Sequence, residues 1–367
     1  MKKSLLIFFA TILLGLIGLL MVYSSSSIWS EYKFGDAFYY VKHQGIFYLL
    51  GILAILILRK FDYNFYKKNA SKILLVCLIL LILVLIPGIG KVRNGSRSWF
   101  GIGSFGIQPS EISKIALIIF TAKYLANNEK EVRSFKKGIL PILLVIGLFF
   151  GLIMLEPDFG TGMVIVMTLV SMLFVSNIKF SFFGYTGLLG LLGIVALIIV
   201  APYRMSRIVS FINPWSDPLG SGFQIIQSLY AIGPGGLFGL GFGNSIQKHF
   251  YLPEPQTDFI FAIISEEFGI MGIVILSILF LTLFINILKI SINESDLFAK
   301  YLSFGLVMGI MLQAILNICV VIGLVPVTGV TLPFISYGGS SLLVSMASIG
   351  IVLNIAKKYW LANICTI

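Results

Sequence analysis

The sequence predicts an all-α integral membrane protein that crosses the bilayer several times. Hydrophobic residues make up 58% of the 367 residues and charged residues 11%, whereas a soluble domain carries about 25% charged residues. The mean hydropathy is +1.02. A soluble multidomain protein would need long charged surfaces and polar linkers, which this sequence lacks. We therefore expect one membrane domain over residues 1–367 with short polar loops.

Ten apolar segments approach the length of about 20 residues that a membrane-spanning helix requires. The first follows a basic end, and no small-residue cleavage site stands out after its apolar run. We therefore expect a retained helix and not a cleaved signal peptide. The ten predicted spans centre on residues 4–23, 44–58, 72–86, 109–125, 138–155, 161–177, 182–200, 259–288, 302–325 and 342–356.

The distribution of basic residues predicts which loops face the cytoplasm. With the N-terminus inside, 17 Lys and Arg residues fall on the inner side and 8 on the outer side, and Lys114 lies within a span. This asymmetry follows the positive-inside rule and places both termini in the cytoplasm. Residues 201–257 then form one long extracytoplasmic loop. A loop of this length is usually functional or disordered, and its many apolar side chains favour packing against the bilayer surface.

Composition also argues against several classes of protein. Positive-inside loops and anionic lipids explain the formal net charge of +11 without nucleic acid. Cys77, Cys319 and Cys365 are far apart, so they support neither a disulfide framework nor a metal cluster. The two histidines, His43 and His249, form no helical pair, which argues against a zinc centre.

Asp258 stands in the stretch YLPEPQTDFIFAIISEEFG, where polar sequence gives way to a predicted span. Thr257 or Asp258 can cap that helix by accepting hydrogen bonds from its exposed amides. A carboxylate at the boundary between lipid and water can also accept a proton from a substrate hydroxyl. The two roles are compatible, because a helix N-terminus keeps the acid ionised. Two turns further, Glu266 and Glu267 suit interior pairing as well as catalysis.

Basic residues cluster on the side where the positive-inside rule disfavours them. One interpretation is that they contact solvent or lipid headgroups. The other is that they bind an anionic substrate such as a pyrophosphate, which Arg can hold in a bidentate way. Several cations around one candidate acid favour the second interpretation. The residues are Lys91, Arg93, Arg97, Arg204, Arg207 and Lys248.

The stretch IQPSEISKIALIIF places two ionisable residues near the outer start of a predicted span. Glu111 and Lys114 are three residues apart, so they share one helix face. Ionisable groups in membrane segments are costly and tend to pair and face the bundle interior. The pattern predicts either a structural ion pair or the border of a polar cavity, and Pro109 with Ser110 makes a suitable helix start.

Two further outer segments carry polar groups. MLEPDFGTG holds Glu156 and Asp158 in a short turn. Turn chemistry explains this segment without a function, and the two carboxylates are only a weak indication of a metal site. GLVPVTGVTLPFISYGGSS, residues 323–341, has too much Pro and Gly for one helix. Such backbone at membrane depth lines a cavity or is buried in protein. Its candidates for contacting sugar or phosphate are Thr328, Ser336 and Tyr337, and a tight hairpin is the alternative.

Five of these stretches, in this order, resemble the SEDS family of bacterial cell-wall proteins. They are NGSRSWFGIG, IQPSEISK, EPDFGT, the loop from DPLGSGFQ to ISEEFG, and PVTGVTLPFISYGGSS. The resemblance extends over nearly the whole chain. Within the family, SIQKHFYLPEPQTDFIF is more similar to the division and sporulation branch, FtsW and SpoVE, than to the elongation branch, RodA.

The resemblance implies a ten-helix glycosyltransferase of the bacterial cytoplasmic membrane. Such an enzyme polymerises lipid II into peptidoglycan beside a class B penicillin-binding protein, which crosslinks the strands. The resemblance also implies an essential acid at Asp258 and an ion-pair region at Glu111 and Lys114. Gln256 stands where many relatives carry His, which argues against a catalytic role for this neighbour.

These observations together predict that Asp258 is the general base on the 4-hydroxyl of the acceptor sugar. Undecaprenyl pyrophosphate would leave from the lipid-linked donor, and the outer cations would offset its charge. A lipid II flippase with Glu111 and Lys114 in its path is the alternative function, and a scaffold for division proteins is a third. No cofactor is expected, although a divalent cation bound through the pyrophosphate is compatible with the sequence.

Overall fold

The computed structural model describes residues 2–93, 95–102, 105–200 and 202–364. Most of these residues are helical, which confirms the predicted all-α class. The helices are α1 Lys2–Phe34, α2 Tyr39–Leu58, α3 Tyr63–Leu85, α4 Pro109–Asn127, α5 Leu140–Leu155, α6 Phe159–Val175, α7 Ser181–Val200, α8 Pro202–Ile212, α9 Phe223–Ile232, α10 Ile260–Asn293, α11 Leu297–Val321 and α12 Gly339–Ile364. Three short strands lie between α3 and α4: β1 Lys91–Arg93, β2 Ser96–Ile102 and β3 Phe105–Ile107.

Each of the ten predicted spans centres on one of these helices. Within the described residues, seven helical spans are long and apolar enough to cross a membrane. They are Lys3–Phe34, Tyr39–Leu58, Tyr63–Leu85, Phe135–Leu155, Ile260–Asn293, Leu297–Val321 and Gly339–Lys357. The other three predicted spans coincide with α4, α6 and α7. The chain is a multi-pass membrane protein, and ten crossings stay a prediction.

Helix α1 continues well beyond the predicted span. Its 33 residues extend about 50 Å at 1.5 Å per residue, whereas the hydrocarbon layer is about 30 Å thick. The serines that follow the apolar run do not end the helix, because their hydroxyls bond back to the preceding turn. Ser25 Oγ donates to Met21 O at 2.7 Å and Ser26 Oγ to Val22 O at 2.6 Å.

Consecutive spanning helices run in opposite directions, so the bundle has two ends. We call the end that carries residues 201–257 the loop face. At the opposite end, Asn354 Nδ2 donates to Arg59 O at 3.1 Å and Asn354 Oδ1 accepts from the Tyr63 amide at 3.1 Å. These bonds fix α12 against the α2–α3 connection. Leu14, Ile55 and Leu117 in the core between the helices are fully buried.

The loop between α3 and α4 forms a small antiparallel sheet in the order β1-β2-β3. The sequence indicated only a Gly-rich loop there. Gly95, at φ +80°, lets the chain reverse between β1 and β2, a conformation that glycine adopts without steric cost. Ser340 Oγ at the start of α12 donates to Gly106 O at 2.9 Å. The sheet is therefore held against the loop face of the bundle.

The described residues of the long loop, 202–257, contain two α-helices, α8 and α9. α9 is amphipathic and buries Ile225 and Ile226, and Ser228 Oγ donates to Val321 O of α11 at 2.7 Å. Other apolar side chains of this loop point outward, including Leu219 and Phe238, which are 89% and 72% exposed. The loop is anchored on the bundle, and its packing against the bilayer surface stays a prediction.

Helix α10 has a kink that the sequence did not predict. Gly269 lies at φ +59° and ψ −152° within it. Across the kink the Leu240 amide donates to Glu266 O at 2.9 Å and the Ile270 amide donates to Gly236 O at 3.0 Å. A Cβ at Gly269 would lie 2.6 Å from Gly235 O. Glycine is therefore required where the loop inserts against the broken helix.

Candidate active site

Asp258 lies on the loop face, two residues before α10 begins. Its side chain is half-buried, and Thr257 Oγ1 donates to Asp258 Oδ1 at 2.9 Å. The predicted capping role is wrong, because Phe259 is the N-cap of α10 and no side chain caps this helix. The carboxylate of Asp258 is consequently not engaged by the helix N-terminus.

The surroundings of Asp258 favour its protonated form. Burial raises the pKa of the Asp258 carboxyl to about 6, because burial disfavours the charged form. The hydroxyl of Thr257 and the positive charge of Arg207 oppose this rise, and the negative charge of Glu254 adds to it. The expectation that a helix N-terminus keeps this acid ionised is therefore not met. A pKa near 6 still leaves most of the carboxyl groups ionised at neutral pH.

The non-helical segment between α11 and α12 runs beside Asp258. Gly323 ends α11 at φ +73°. The Tyr337 amide donates to Gln256 O at 2.8 Å, and the Tyr337 ring meets the Tyr40 ring edge-on at 4.8 Å between centroids. Burial raises the pKa of the Tyr337 hydroxyl to about 12, so Tyr337 stays a neutral hydrogen-bonding group.

Ser336 is buried within this segment. Its hydroxyl oxygen accepts from the Leu332 amide at 2.8 Å, and its carbonyl accepts from Gln44 Nε2 at 2.9 Å. Ser336 thus closes a turn and holds the segment against α2. Of the three predicted contact residues, Thr328 and Tyr337 are partly exposed and Ser336 is buried.

Two of the predicted cations lie near Asp258 and Tyr337. Arg207 on α8 is exposed, donates from Nη1 to Val327 O at 3.0 Å and lowers the pKa of Asp258 by its charge. Arg93 on β1 lies over the Trp99 ring at 5.0 Å, and its charge reaches Tyr337. Arg97 Nη1 donates to Leu85 O at 3.5 Å.

Arg204 is the other predicted cation on this helix. It lies one turn before Arg207 in α8, but its side chain falls outside the described residues. Its contribution therefore stays a prediction.

Lys248 points into the protein and away from this set. It is 5% exposed, and Nζ donates to Gly243 O at 2.6 Å, to Glu267 Oε1 at 3.1 Å and to Ser24 Oγ at 3.2 Å. These three acceptors use all three ammonium hydrogens. The structure therefore does not support the predicted role of Lys248 in binding an anionic substrate. Glu267 pairs in the interior with Lys248, which was one of its two predicted roles.

Glu111 and Lys114 form the buried ion pair that their spacing allows. Lys114 Nζ lies 2.8 Å from Glu111 Oε2, and the two side chains are 8% and 7% exposed, Lys114 first. Lys114 Nζ also donates to Gln313 Oε1 of α11 at 2.6 Å. The pair therefore joins α4 to α11 beneath the loop face.

The turn between α5 and α6 is anchored by Asp158. Its carboxylate accepts from the Thr161 amide at 3.1 Å, from Gln108 Nε2 at 2.8 Å and from Ser110 Oγ at 3.2 Å. Burial raises its pKa, and the hydrogen bonds from Thr161 and Ser110 oppose the rise. Within the described part of the chain, no three His, Cys, Asp or Glu residues are grouped to hold a metal ion. The described residues therefore add no third ligand to Glu156 and Asp158, and the structure does not support a metal site at this turn.

Glu156 in the same turn is fully buried, and its carboxyl oxygens accept or donate no hydrogen bond in the described residues. Burial, with a smaller contribution from the charge of Asp158, raises its pKa from 4.5 to about 9. The folded protein therefore holds Glu156 protonated at neutral pH, whereas the unfolded chain ionises it above about pH 4.5. The fold therefore loses stability as pH rises from about 5 to 9, because over this range the unfolded chain releases the Glu156 proton and the folded chain keeps it.

Replacing Glu156 by Gln is expected to raise thermal stability at pH 8 and to flatten its pH dependence. The amide cannot ionise in the unfolded state, so the stability loss between about pH 5 and pH 9 disappears. Thermal unfolding of the wild type and Glu156→Gln in detergent at pH 5, 7 and 9 measures the effect. Equal slopes of the unfolding temperature against pH in both proteins would show that Glu156 has no raised pKa.

Comparison with known proteins agrees with this architecture. A family profile described as cell cycle protein, for FtsW, RodA and SpoVE, matches residues 4–360. The chain belongs to the FtsW/RodA/SpoVE family. Stage V sporulation protein E of Bacillus subtilis (strain 168) is 50% identical over 356 residues, which are 97% of each chain. A probable peptidoglycan glycosyltransferase FtsW of Coxiella burnetii is 42% identical over 345 residues, 93% of each chain.

Solved structures of this family have the same fold. A chain from a study of the structural coordination of polymerization and crosslinking by a peptidoglycan synthase complex superposes with a TM-score of 0.76 at 28% identity. The match covers 96% of this chain and 97% of that one. The rod shape determining protein RodA of Thermus thermophilus gives a TM-score of 0.68 at 25% identity, covering 96% of both chains.

The candidate site also includes buried polar residues that the sequence did not single out. Gln44 on α2 and Gln313 and Asn317 on α11 are each 1% exposed, and all three bond to the segment between α11 and α12. A signal was present, because polar residues within apolar spans are costly and usually face a polar interior. Gln313 and Asn317 are also one helical turn apart, which places them on the same face.

Proposed function

We propose that this chain is a peptidoglycan glycosyltransferase that polymerises lipid II at the outer face of the bacterial cytoplasmic membrane. The observation that carries the proposal is the carboxylate of Asp258, which is half-buried on the loop face beside Arg207 and is not used as a helix cap. The names of the FtsW relatives support the reaction class. The name of the Bacillus subtilis relative supports a role in sporulation, and division is the alternative occasion.

In the proposed reaction Asp258 removes the proton from the 4-hydroxyl of the acceptor sugar. The hydroxyl oxygen forms a bond to the anomeric carbon of the donor, while the bond from that carbon to undecaprenyl pyrophosphate breaks. The leaving group takes the bonding electron pair, and direct displacement inverts the anomeric centre. A positioned general base contributes about 10² to 10⁴ to such a rate.

The cations of the loop face would offset the charge that develops on the pyrophosphate. Arg207 is exposed and its charge acts on Asp258, and the charge of Arg93 acts on Tyr337. Arg97 and Arg204 are further candidates for this role. Fixed charges aimed at a developing negative charge often provide the largest contribution to catalysis.

The proposal includes a partner and an orientation. The solved relative from a peptidoglycan synthase complex supports a class B penicillin-binding protein that crosslinks the new strands, and other division or sporulation proteins would recruit the pair. The loop face is extracytoplasmic and both termini are cytoplasmic, because 17 of the Lys and Arg residues then lie inside. A cysteine-labelling experiment at the loop face, with a membrane-impermeant reagent on intact cells, tests the orientation.

The rate of polymerisation is expected to fall as pH decreases through about 6. The base must be ionised to accept a proton, and the pKa of Asp258 is about 6, so the rate at pH 5 should be about tenfold below the plateau at higher pH. Initial rates of glycan formation by the purified chain and its partner, from pH 4.5 to 8.5, measure this profile. A rate that stays constant down to pH 4.5 would contradict a general base with this pKa.

A further inference from the structure

Helix α11 presents two buried amide side chains one turn apart toward the loop face. Gln313 and Asn317 are each 1% exposed, and residues four apart lie on the same face of a helix. A buried amide is costly unless its polar atoms are hydrogen-bonded. Their partners therefore show what these two residues hold in place.

Asn317 bonds to the residue that carries the candidate base. Its Nδ2 donates to Asp258 O at 2.7 Å and to Val330 O at 2.7 Å. One amide group thus uses both of its hydrogens to join the entry of α10 to the non-helical segment before α12. No side chain caps α10, so capping does not hold Asp258 in place. The bond from Asn317 to its carbonyl does.

Gln313 extends the connection to the buried ion pair. Its Oε1 accepts from Lys114 Nζ at 2.6 Å, and its Nε2 donates to Thr331 O at 3.0 Å and to Ser341 Oγ at 3.1 Å. Gln313 and Asn317 therefore hold the adjacent residues Thr331 and Val330. The ion pair on α4 and the backbone of Asp258 belong to one continuous network.

We propose that Asn317 is a positioning residue for Asp258, and that Gln313 links this position to the ion pair of Glu111 and Lys114. The inference rests on the proposed function of Asp258 as the general base. Asn317 does not contact the reacting atoms, since it bonds to the backbone carbonyl of Asp258. It acts through the position of the carboxylate, and a displacement of about 1 Å at a reacting group can lower a rate about 10²-fold.

The test compares Asn317→Ala with Asn354→Ala in the full chain with its partner. Asn354 is a matched control, because it is also a buried asparagine that bonds to backbone atoms, but it lies at the opposite end of the bundle. For Asn317→Ala we expect kcat for polymerisation to fall about 10- to 100-fold with KM changed by less than about threefold. We also expect the apparent pKa of its pH-rate profile to move, whereas Asn354→Ala keeps the wild-type kcat and profile.

Asn317→Asp is the second variant, in case the alanine variant leaves a cavity that prevents folding. It keeps the side-chain volume but donates at most one hydrogen bond, and we expect the same loss in kcat. The inference is overturned if a folded Asn317 variant has the kcat and pH profile of Asn354→Ala, or if neither Asn317 variant folds, because the role is then structural. An active Asp258→Asn would instead remove the proposed role of Asp258 as the base, whereas an inactive Asp258→Asn beside a fully active Asn317→Ala removes only this inference.

Discussion

Asp258→Asn is expected to lower lipid II polymerisation at least about a hundredfold while the protein folds normally. Asparagine has almost the same shape but cannot accept a proton, so the contribution of a general base is lost. Folding does not depend on the charge, because the side chain caps no helix and burial already disfavours the ionised form. Glycan formation by purified wild-type and variant protein, with thermal unfolding in parallel, measures both expectations.

Asp217→Asn is the matched control for this variant. Asp217 belongs to the same loop, accepts from the Ser221 amide at 2.7 Å and is exposed. Hydrogen bonds from Ser221 hold the pKa of its carboxyl below the usual range, so Asp217 is ionised and accessible, and it is not among the groups that shift the pKa of Asp258. Its substitution should leave polymerisation within about twofold of the wild type. Asp258→Asn with a rate as high as that of Asp217→Asn would remove Asp258 from catalysis.

Lys248→Met is expected to lower the free energy of unfolding by about 3–5 kcal/mol, the usual cost of removing one partner of a buried ion pair. Lys248 and Glu267 are 3.1 Å apart and their side chains are 4% and 0% exposed. Methionine would leave the Glu267 carboxylate buried without its cation. Because Lys248 also donates to Ser24 of α1, the loop should lose this bond to α1, while its backbone bonds to α10 remain. Thermal or chemical unfolding in detergent measures the loss.

Two variants separate this effect from a general sensitivity to losing a lysine. Lys248→Met combined with Glu267→Gln removes both charges and should recover most of the lost stability. Lys42→Met breaks the exposed pair with Asp36, whose side chains are 64% and 35% exposed, and should cost about 0–1 kcal/mol. If Lys248→Met unfolds like Lys42→Met, the buried pair does not anchor the loop.

Features that depend on local sequence were predictable. Apolar runs located all the long helices, because the requirement to bury backbone hydrogen bonds in lipid leaves few alternatives to a helix. The i,i+3 spacing of Glu111 and Lys114 placed them on one face, and their burial made them pair. The composition of residues 323–341 likewise predicted the interruption between α11 and α12.

Features that depend on long-range packing were not predictable in the same way. The partners of Lys248 could not be predicted from local sequence, since Ser24, one of its acceptors, is 224 residues away. The kink at Gly269 depends on where the loop backbone inserts. The capping role predicted for Asp258 is wrong because α10 begins at Ile260, so that Phe259 and not Asp258 is its N-cap.

Glycan formation in detergent tests most directly whether this chain joins lipid II units with Asp258 as the base. Detergent micelles have no two sides, so a flippase or a scaffold yields no polymer there, whereas a polymerase does. We expect the purified wild type with a penicillin-binding partner whose own glycan-forming activity is absent to convert lipid II into glycan strands, and Asp258→Asn with the same partner to produce almost none. Absence of polymer with the wild type, or equal polymer with Asp258→Asn, would contradict the claim.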